Sequence, residues 1–244
     1  MRLDKLLANS GKGTRSEVKK LIASGMVSVN GLTIKDAGYQ IKDSDDVSIG
    51  SSSVSGKEYL YFLLDKPDCV LTAMEDKRLK CVGDLIPAAL KGRKLSPVGR
   101  LDYHTTGLLL ITNDGELSHR ITSPKYKIEK VYKAIYSGGT LGEEHIKEAA
   151  EGIILTDTGK KIKLAPAVLE LKDKNACLIT LTEGKTHEVR RIISQFGREV
   201  LELRRIRLGN LEINEAVPGD LRELTKEETE GLLSLTCLDR APRR

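Results

Sequence analysis

From residue 59 onward the chain is a series of strand-length apolar runs that do not alternate regularly with helices. No other feature restricts the fold as much. "YLYFLL" (59–64) is a continuous apolar run stopped by Asp65-Lys66-Pro67, and "LLLIT" (108–112) is another, stopped by Asn113-Asp114-Gly115. Uninterrupted runs of this length read as strands covered on both faces. "KVYKAIY" (130–136) alternates, with Val131, Lys133 and Ile135 opposite Tyr132, Ala134 and Tyr136, and "ACLITLT" (176–182) makes a fourth strand. Helices are expected at 141–151, 187–196 and 226–235, the first and last opened by capping boxes, Thr140/Glu143 and Thr225/Glu228. A doubly wound parallel sheet needs a crossover helix after each strand. The order here lacks that rhythm and predicts an α+β fold with a mixed, largely antiparallel sheet and flanking helices. With no Trp and two Phe in 244 residues, Leu, Ile and Val must build the core.

Residues 1–49 read as a separate small unit. "RLDKLLANSG" suggests a short helix ending near Gly11. "TRSEVKKLIASG" opens with a capping box, Thr14/Glu17, sets Val18, Leu21 and Ile22 on one face and ends at Gly25. "VSVNGLTI" is two short runs about Asn30-Gly31, a strong hairpin signal, and "DDVSI" adds a further strand. Residues 50–58, "GSSSVSGKE", have linker composition. The expected division is therefore 1–49, a linker at 50–58, a larger domain at 59–238 and a C-terminal tail at 239–244.

Charge is distributed unevenly. Residues 1–34 carry six basic side chains (Arg2, Lys5, Lys12, Arg15, Lys19, Lys20) against Asp4 and Glu17, whereas residues 36–58 carry five acids against two lysines. A single basic run is usually a solvated surface; concentrated on two adjacent short helices, it is equally a phosphate-binding face. No run approaches the roughly 20 apolar residues of a membrane span, and the N-terminus lacks the apolar stretch of a secretory signal. The cysteines Cys69, Cys81, Cys177 and Cys237 show no C-x-x-C spacing, so buried free thiols in a reducing cytoplasm are expected. The scattered histidines, His104, His119, His145 and His187, give no metal motif.

Three loops can carry chemistry. "GRLDYHTTG" (99–107) puts one carboxylate, Asp102, beside Arg100 between two glycines, ahead of a buried strand. "EGKTHEVRRIISQFG" leads into a helix with Val189, Ile192, Ile193 and Phe196 as its apolar stripe. Arg190 and Arg191 fall in its first turns, where positive charge opposes the helix dipole, so something outside the helix wants those cations. "HRITSPKYKIEKVYKAIY" brings a basic, tyrosine-bearing segment into a strand. Taken alone, an Asp in such a loop is more often a turn residue than a catalyst, and Tyr132 is more often core than a stacking platform.

The same residues resemble the RsuA-type pseudouridine synthases. The resemblance runs from "GRLDYHTTGLLLITNDG" through "GELSHRITSP", "KVYKA", "APAVLEL", "EGKTHEVRRIISQFG" and "VLELRRIRLGNLEI", and residues 1–49 resemble the alpha-L RNA-binding domain that precedes the catalytic domain in that family. It implies a pseudouridine synthase fold and conversion of a specific uridine in RNA to pseudouridine, without metal or cofactor, on a base flipped out of its stack. It implies that Asp102 is the essential aspartate, that Arg190 pairs with it in a closed pocket, and that Tyr132 lies against the base. Arg100 would fill the gap the base leaves, and Lys66-Pro67 would be structural. Lys185, His187 and Arg191, with Arg2, Lys5, Lys12, Arg15, Lys19 and Lys20, complete the expected RNA-binding set. His104, Glu188 and Cys69 depart from the family pattern, which has a small acid or amide, Gln and Gly there.

"SHRITSP" and "APAVLEL" favour 16S (small-subunit) ribosomal RNA, or an assembling small subunit, over the large-subunit substrates of related enzymes. The expected enzyme is a cytoplasmic monomer. A non-catalytic RNA-binding or assembly factor is the rival reading. Against it stands Asp102, because a carboxylate beside RNA phosphates only weakens binding.

Overall fold

The structure is a computed structural model that describes residues 2–42, 45–54, 59–157, 160–213 and 217–238. The chain divides into two compact units, Met1–Tyr59 and Leu60–Arg244.

In the first unit, α1 (Leu3–Asn9) and α2 (Arg15–Ala23) accompany a four-stranded sheet in the order β2-β1-β3-β4 (β1 Val27–Val29, β2 Leu32–Thr33, β3 Val47–Ile49, β4 Ser52–Val54). The Thr14/Glu17 box closes as the spacing predicts. Glu17 N–H donates to Thr14 Oγ1 at 3.3 Å and Thr14 N–H to Glu17 Oε2 at 2.7 Å. Leu3, Leu7, Val18, Ile22, Val27 and Val47 form the core, each at most 2% exposed. The linker expectation fails in part. Ser52–Val54 is β4, paired with β3, and Val54 is buried in the same core. One apolar residue among serines is enough to anchor a strand. Residues 55–58 of the expected linker, and the tail at 239–244, lie outside the described residues.

In the second unit the strands are β5 (Tyr61–Lys66), β6 (Ser96–Pro97), β7 (Thr105–Thr112), β8 (Lys130–Ser137), β9 (Ile154–Asp157), β10 (Lys160–Lys163), β11 (Val168–Asp173), β12 (Ala176–Leu181), β13 (Glu199–Leu208), β14 (Leu211–Glu212) and β15 (Leu221–Glu223). The helices are α3 (Gly115–Thr122), α4 (Glu143–Glu151), α5 (Glu188–Gln195) and α6 (Lys226–Leu235). The main sheet has nine strands, seven of them in the order β11-β12-β8-β13-β7-β5-β15, with β6 on β7 and β14 on β13. Its pairings are antiparallel except β13 with β7, so the fold is α+β with the mixed, largely antiparallel sheet expected.

Several boundaries differ from expectation, each for a polar reason. β5 continues through Asp65 and Lys66, both 0% exposed, instead of stopping before them. Arg204 forks onto Asp65, Nη1 to Oδ1 at 2.9 Å and Nη2 to Oδ2 at 2.7 Å, so the carboxylate is buried with its counter-charge. Asn113-Asp114-Gly115 ends a strand and also starts the unexpected α3: the Asp114 carboxylate accepts the N–H of Glu116 and Leu117, both at 3.1 Å. Helix α4 does not use Thr140; the Gly142 N–H donates instead to His145 Nδ1 at 2.9 Å. The four expected strands do not include β13, whose arginines obscure its period.

Two apolar clusters lie along this sheet. One gathers Tyr136, Cys177, Ile179 and the α5 stripe Val189, Ile192 and Ile193; the other gathers Leu64, Val82, Leu101, Leu109 and Ile111. Tyr132 packs against both. Cys81 and Cys177 are buried as expected, but Cys69 and Cys237 are exposed. Among the described residues no helix is long and apolar enough to cross a membrane.

Candidate active site

Asp102 stands on the loop that enters β7, and two cations hold that loop by its backbone. Lys66 Nζ donates to the carbonyls of Tyr103 (3.2 Å), Thr105 (2.9 Å) and Pro67 (3.0 Å). Arg190 Nη2 donates to the intervening carbonyl of His104 at 3.2 Å. Thr72 Oγ1 donates to the Leu101 carbonyl at 2.6 Å and accepts the Leu101 N–H at 3.1 Å. The carbonyls of residues 101, 103, 104 and 105 thus each have a side-chain donor. Burial strips the Lys66 ammonium of solvent and lowers its pKa to about 8. The structural role expected of Lys66-Pro67 is therefore specific: the ammonium stitches the Asp102 loop to β5.

Gly107 lets β7 run parallel to β13. Its φ is +97°, and a Cβ there would collide with the Arg205 carbonyl oxygen. The pairing it permits puts Leu203 opposite Thr105 and Arg205 opposite Gly107, while on the other side of β13 Arg205 faces Tyr132 of β8. Tyr132, Arg205 and Gly107 are thereby brought level on three adjacent strands, with Thr105 two residues earlier on β7, opposite Leu203. A bulge in β13 between Arg205 and Arg207 disturbs the ladder at that level.

These residues line a cavity of about 280 Å³ that also includes Arg100, Asp102, Lys130, Lys185, His187 and Glu188. Arg205 is 3% exposed; its Nε donates to the Leu108 carbonyl at 2.7 Å and its guanidinium carbon lies 6.0 Å from the Tyr132 ring centre. Lys130 Nζ donates to the Ile128 carbonyl at 2.8 Å, and burial, assisted by the Arg205 charge, lowers its pKa to about 8. Glu188 is 4% exposed and accepts the Lys185 N–H at 2.8 Å. Burial raises its pKa to about 7, and the adjacent Glu183 carboxylate pushes the same way.

The expected Asp102–Arg190 ion pair is not formed. Both residues line a second, wider groove with Asp68, His104, His187 and Glu202, but the Arg190 guanidinium is committed to the carbonyls of His104 and, at 3.1 Å, Val200. The basic side chain nearest Asp102 is His187, with Nε2 3.6 Å from Oδ1. Nor is Asp102 a buried anion: its side chain is 36% exposed. The physical reason is competition: backbone carbonyls beside the helix satisfy the guanidinium donors before they reach the carboxylate. The out-of-place cation at the start of α5 does serve something outside its helix, namely the loop two residues beyond Asp102.

The remaining expected residues divide. Arg100 is exposed at the first cavity. Lys185 lines it as well, but its ammonium is 2.8 Å from Glu183 and 3.1 Å from the Lys163 carbonyl, so its charge is already matched. Arg191, half-buried on α5, lines neither cavity. In the first unit Arg2 is likewise bound, to Asp4 at 2.9 Å, whereas Lys5, Lys12, Arg15, Lys19 and Lys20 are exposed and form no ion pair among the described residues. A count of basic residues treats matched and unmatched cations alike.

Two of the departures from the family pattern meet in space. His104 Nδ1 lies 3.1 Å from Asp68 Oδ1 and 3.9 Å from Cys69 Sγ, an exposed trio of ligand-type atoms at the groove. Cys69 has φ +58°, the left-handed region where glycine is unstrained, which explains why glycine is the usual residue there. Sequence reasoning missed Thr105 and Arg205. The signal for Arg205 was an arginine in a run that otherwise reads as a strand.

A family model described as RNA pseudouridylate synthase matches residues 60–195, and an S4 domain model matches residues 1–47. The chain is 39% identical over 232 residues to an uncharacterized RNA pseudouridine synthase of Bacillus subtilis, covering 93% of this chain and 96% of that one. It is 37% identical over 241 residues to the ribosomal large subunit pseudouridine synthase B of the same organism, covering 96% of each. With the ribosomal small subunit pseudouridine synthase A of Haemophilus influenzae it shares 36% identity over 235 residues, 96% of this chain and 100% of the relative. A crystal structure of a pseudouridylate synthase is similar with a TM-score of 0.67 and 35% identity, covering 95% of this chain and 99% of that one. The chain belongs to the RNA pseudouridylate synthase family and carries an S4 domain at its N-terminus.

Proposed function

We propose that this enzyme isomerises a specific uridine of small-subunit ribosomal RNA to pseudouridine, with Asp102 as the reacting carboxylate. The observation that carries the reading is the placement of Asp102. It is the one carboxylate shared by both cavities that sits on a loop whose carbonyls are clamped by two cations, and it opens onto Tyr132 and Arg100. Such a clamp fixes a reactive group in advance, so little reorganisation is needed when the substrate arrives.

The reaction breaks the N1–C1′ bond, forms a C5–C1′ bond, releases the C5 proton and returns a proton to N1. It is redox-neutral, and the reading includes neither metal nor cofactor. Asp102 acts ionised, as nucleophile or base, because a protonated carboxyl is neither. Tyr132 offers its ring to the flipped base, and exposed Arg100 occupies the gap left in the RNA. Arg190 is a positioning residue that holds the His104 carbonyl, and the His187 imidazole lies beside the carboxylate. The unpaired cations of the first unit bind the phosphate backbone, which makes affinity salt-dependent.

Ribosomal RNA as the substrate is supported by relatives that bear ribosomal names. Their near-equal identities, 37% for a large-subunit and 36% for a small-subunit enzyme, do not divide the branches. "SHRITSP" and "APAVLEL" favour the small subunit, and we take the enzyme to act in the cytoplasm as a monomer on that RNA or on the assembling particle. The test is tritium release from ribosomal RNA labelled at uridine C5, comparing wild type with Asp102→Asn, together with pseudouridine mapping in cells lacking the protein. Release by wild type, loss of it in a variant that still binds RNA, and a missing small-subunit site in the cells are expected. An Asp102→Asn enzyme as active as wild type sinks the assignment, and a missing large-subunit site moves the substrate to the other branch.

A further inference from the structure

Among the described residues, three buried side-chain polar atoms have no hydrogen-bond partner: Thr105 Oγ1, Glu188 Oε1 and Arg205 Nη2. All three residues line the 280 Å³ cavity that holds Asp102 and Tyr132. They are 1%, 4% and 3% exposed, so this is a built interior, not a wet surface. Buried polar groups left unmatched by the protein mark a place where something else is meant to match them.

We propose that Thr105, Glu188 and Arg205 read the imide edge of the flipped uracil, making them specificity-determining residues for the isomerisation. This rests on the reading of the cavity as the uridine site. The chemistry of the set is the reason. Arg205 Nη2 donates, the Thr105 hydroxyl can donate, and an ionised Glu188 accepts. Two donors and one acceptor complement uracil, whose O2, N3–H and O4 present two acceptors and one donor. Cytosine presents an acceptor at N3 and an amino donor at C4 and fails at two of the three positions.

The imide edge also suits the reaction. A half-turn of the detached base about its N3–C6 axis exchanges N1 with C5 and O2 with O4. The pattern acceptor, donor, acceptor is unchanged. One fixed set of protein atoms therefore serves the base before and after it turns, without rearranging.

Glu188 makes the contact sensitive to pH. The groups around it are Glu183 and Lys185 from the loop before α5, Lys130 of β8 and Arg205 of β13, with Asp102 and His187 in the same cavity. Burial and the Glu183 carboxylate favour the protonated form, in which the Glu188 proton goes to Glu183. Ionised, Oε1 has no protein donor and is available to the base N3–H. Its pKa of about 7 puts the change between those forms near neutrality. Gln, the residue the family pattern has here, accepts through Oε1 at every pH.

The test uses the full-length enzyme and ribosomal RNA transcripts carrying tritium at uridine C5, with kcat and KM measured from about pH 5.5 to about 8. Wild-type kcat/KM is expected to fall about tenfold or more from pH 7.5 to 5.5 as Glu188 takes up its proton. Glu188→Gln is expected to flatten that fall to within about threefold and to keep far more turnover than Glu188→Leu. Thr105→Val, which removes only the hydroxyl from an otherwise similar shape, is expected to lower kcat/KM about 5- to 30-fold with its unfolding midpoint retained. An identical slope in wild type and Glu188→Gln overturns the proposal, as does a Thr105→Val enzyme within twofold of wild type. Release that is robust but indifferent to these changes overturns base-edge reading alone, whereas no release from any transcript by wild type overturns the site assignment with it.

Discussion

The two helices of the first unit and the cavity of the second both present positive charge, and they use it in opposite ways. On the helices, Lys5, Lys12, Arg15, Lys19 and Lys20 are exposed and unpaired among the described residues. In the cavity, Lys130 and Arg205 are 7% and 3% exposed, and each donates to a backbone carbonyl. Exposed charges act through number, at any reachable phosphate and in competition with salt. Buried charges act through geometry: an ammonium out of water needs its acceptors in place before folding ends. The first arrangement tolerates substitution of one cation for another, and the second does not.

The comparison can be broken most decisively at Asp102. Replacing it with Asn should reduce turnover on the order of 10⁴-fold or more while RNA binding stays within about twofold, measured by tritium release and filter binding. Next is the Asp65–Arg204 fork, which ties β5 to β13 beside the Lys66 clamp. Asp65→Ala should cost about 3 kcal/mol in urea unfolding, the low end for a broken buried pair because Arg204 remains 33% exposed. An Asp65→Ala protein as stable as wild type would show that the fork is ornamental.

Glu188 sharpens the comparison through pH. Its folded-state pKa, about 7, lies above the ordinary 4.5, so the folded protein binds the extra proton between those values. Stability should therefore fall as pH rises from about 4.5 to about 7, relative to Glu188→Gln measured alongside by thermal unfolding. A wild type that gains stability on Glu188→Gln across that window would mean the carboxyl is not desolvated. On the exposed side, changing Lys5, Lys12, Arg15, Lys19 and Lys20 to Gln should flatten the slope of log affinity against log salt by about 0.7–0.9 for each phosphate that is no longer neutralised. KM should respond more than kcat. An unchanged slope would remove the helices from the RNA interface. The smallest effect is local: Cys69→Gly, relieving a φ of +58°, should stabilise by up to about 1 kcal/mol in the same unfolding assay.

Legibility followed the same division. Capping at Thr14 and Thr225, the Asn30-Gly31 turn and the apolar runs of β5 and β7 depend on residues within a few positions of each other, and they were readable in the sequence. What failed depended on distant partners. Asp65 and Lys66 read as a strand stop because nothing nearby shows Arg204 or the carbonyls of residues 103 and 105. β13 was hidden by arginines whose acceptors lie about a hundred positions away. The pairing expected of Arg190 with Asp102 named two residues that do meet at one groove, but it could not foresee which acceptor the guanidinium would take.

By itself the sequence determined the α+β class, the separate basic unit, the family and the loop that carries Asp102, because composition, periodicity and motif order are properties of the chain read in one dimension. Only the tertiary structure decided which cations are matched and which are free, that Asp102 faces His187 instead of Arg190, and that Thr105, Glu188 and Arg205 share one cavity with unmet hydrogen-bonding capacity. Those outcomes depend on the register of β8, β13 and β7 and on where α5 begins beside them. Whether a buried polar atom finds a partner is settled by how strands and a helix far apart in the chain come together.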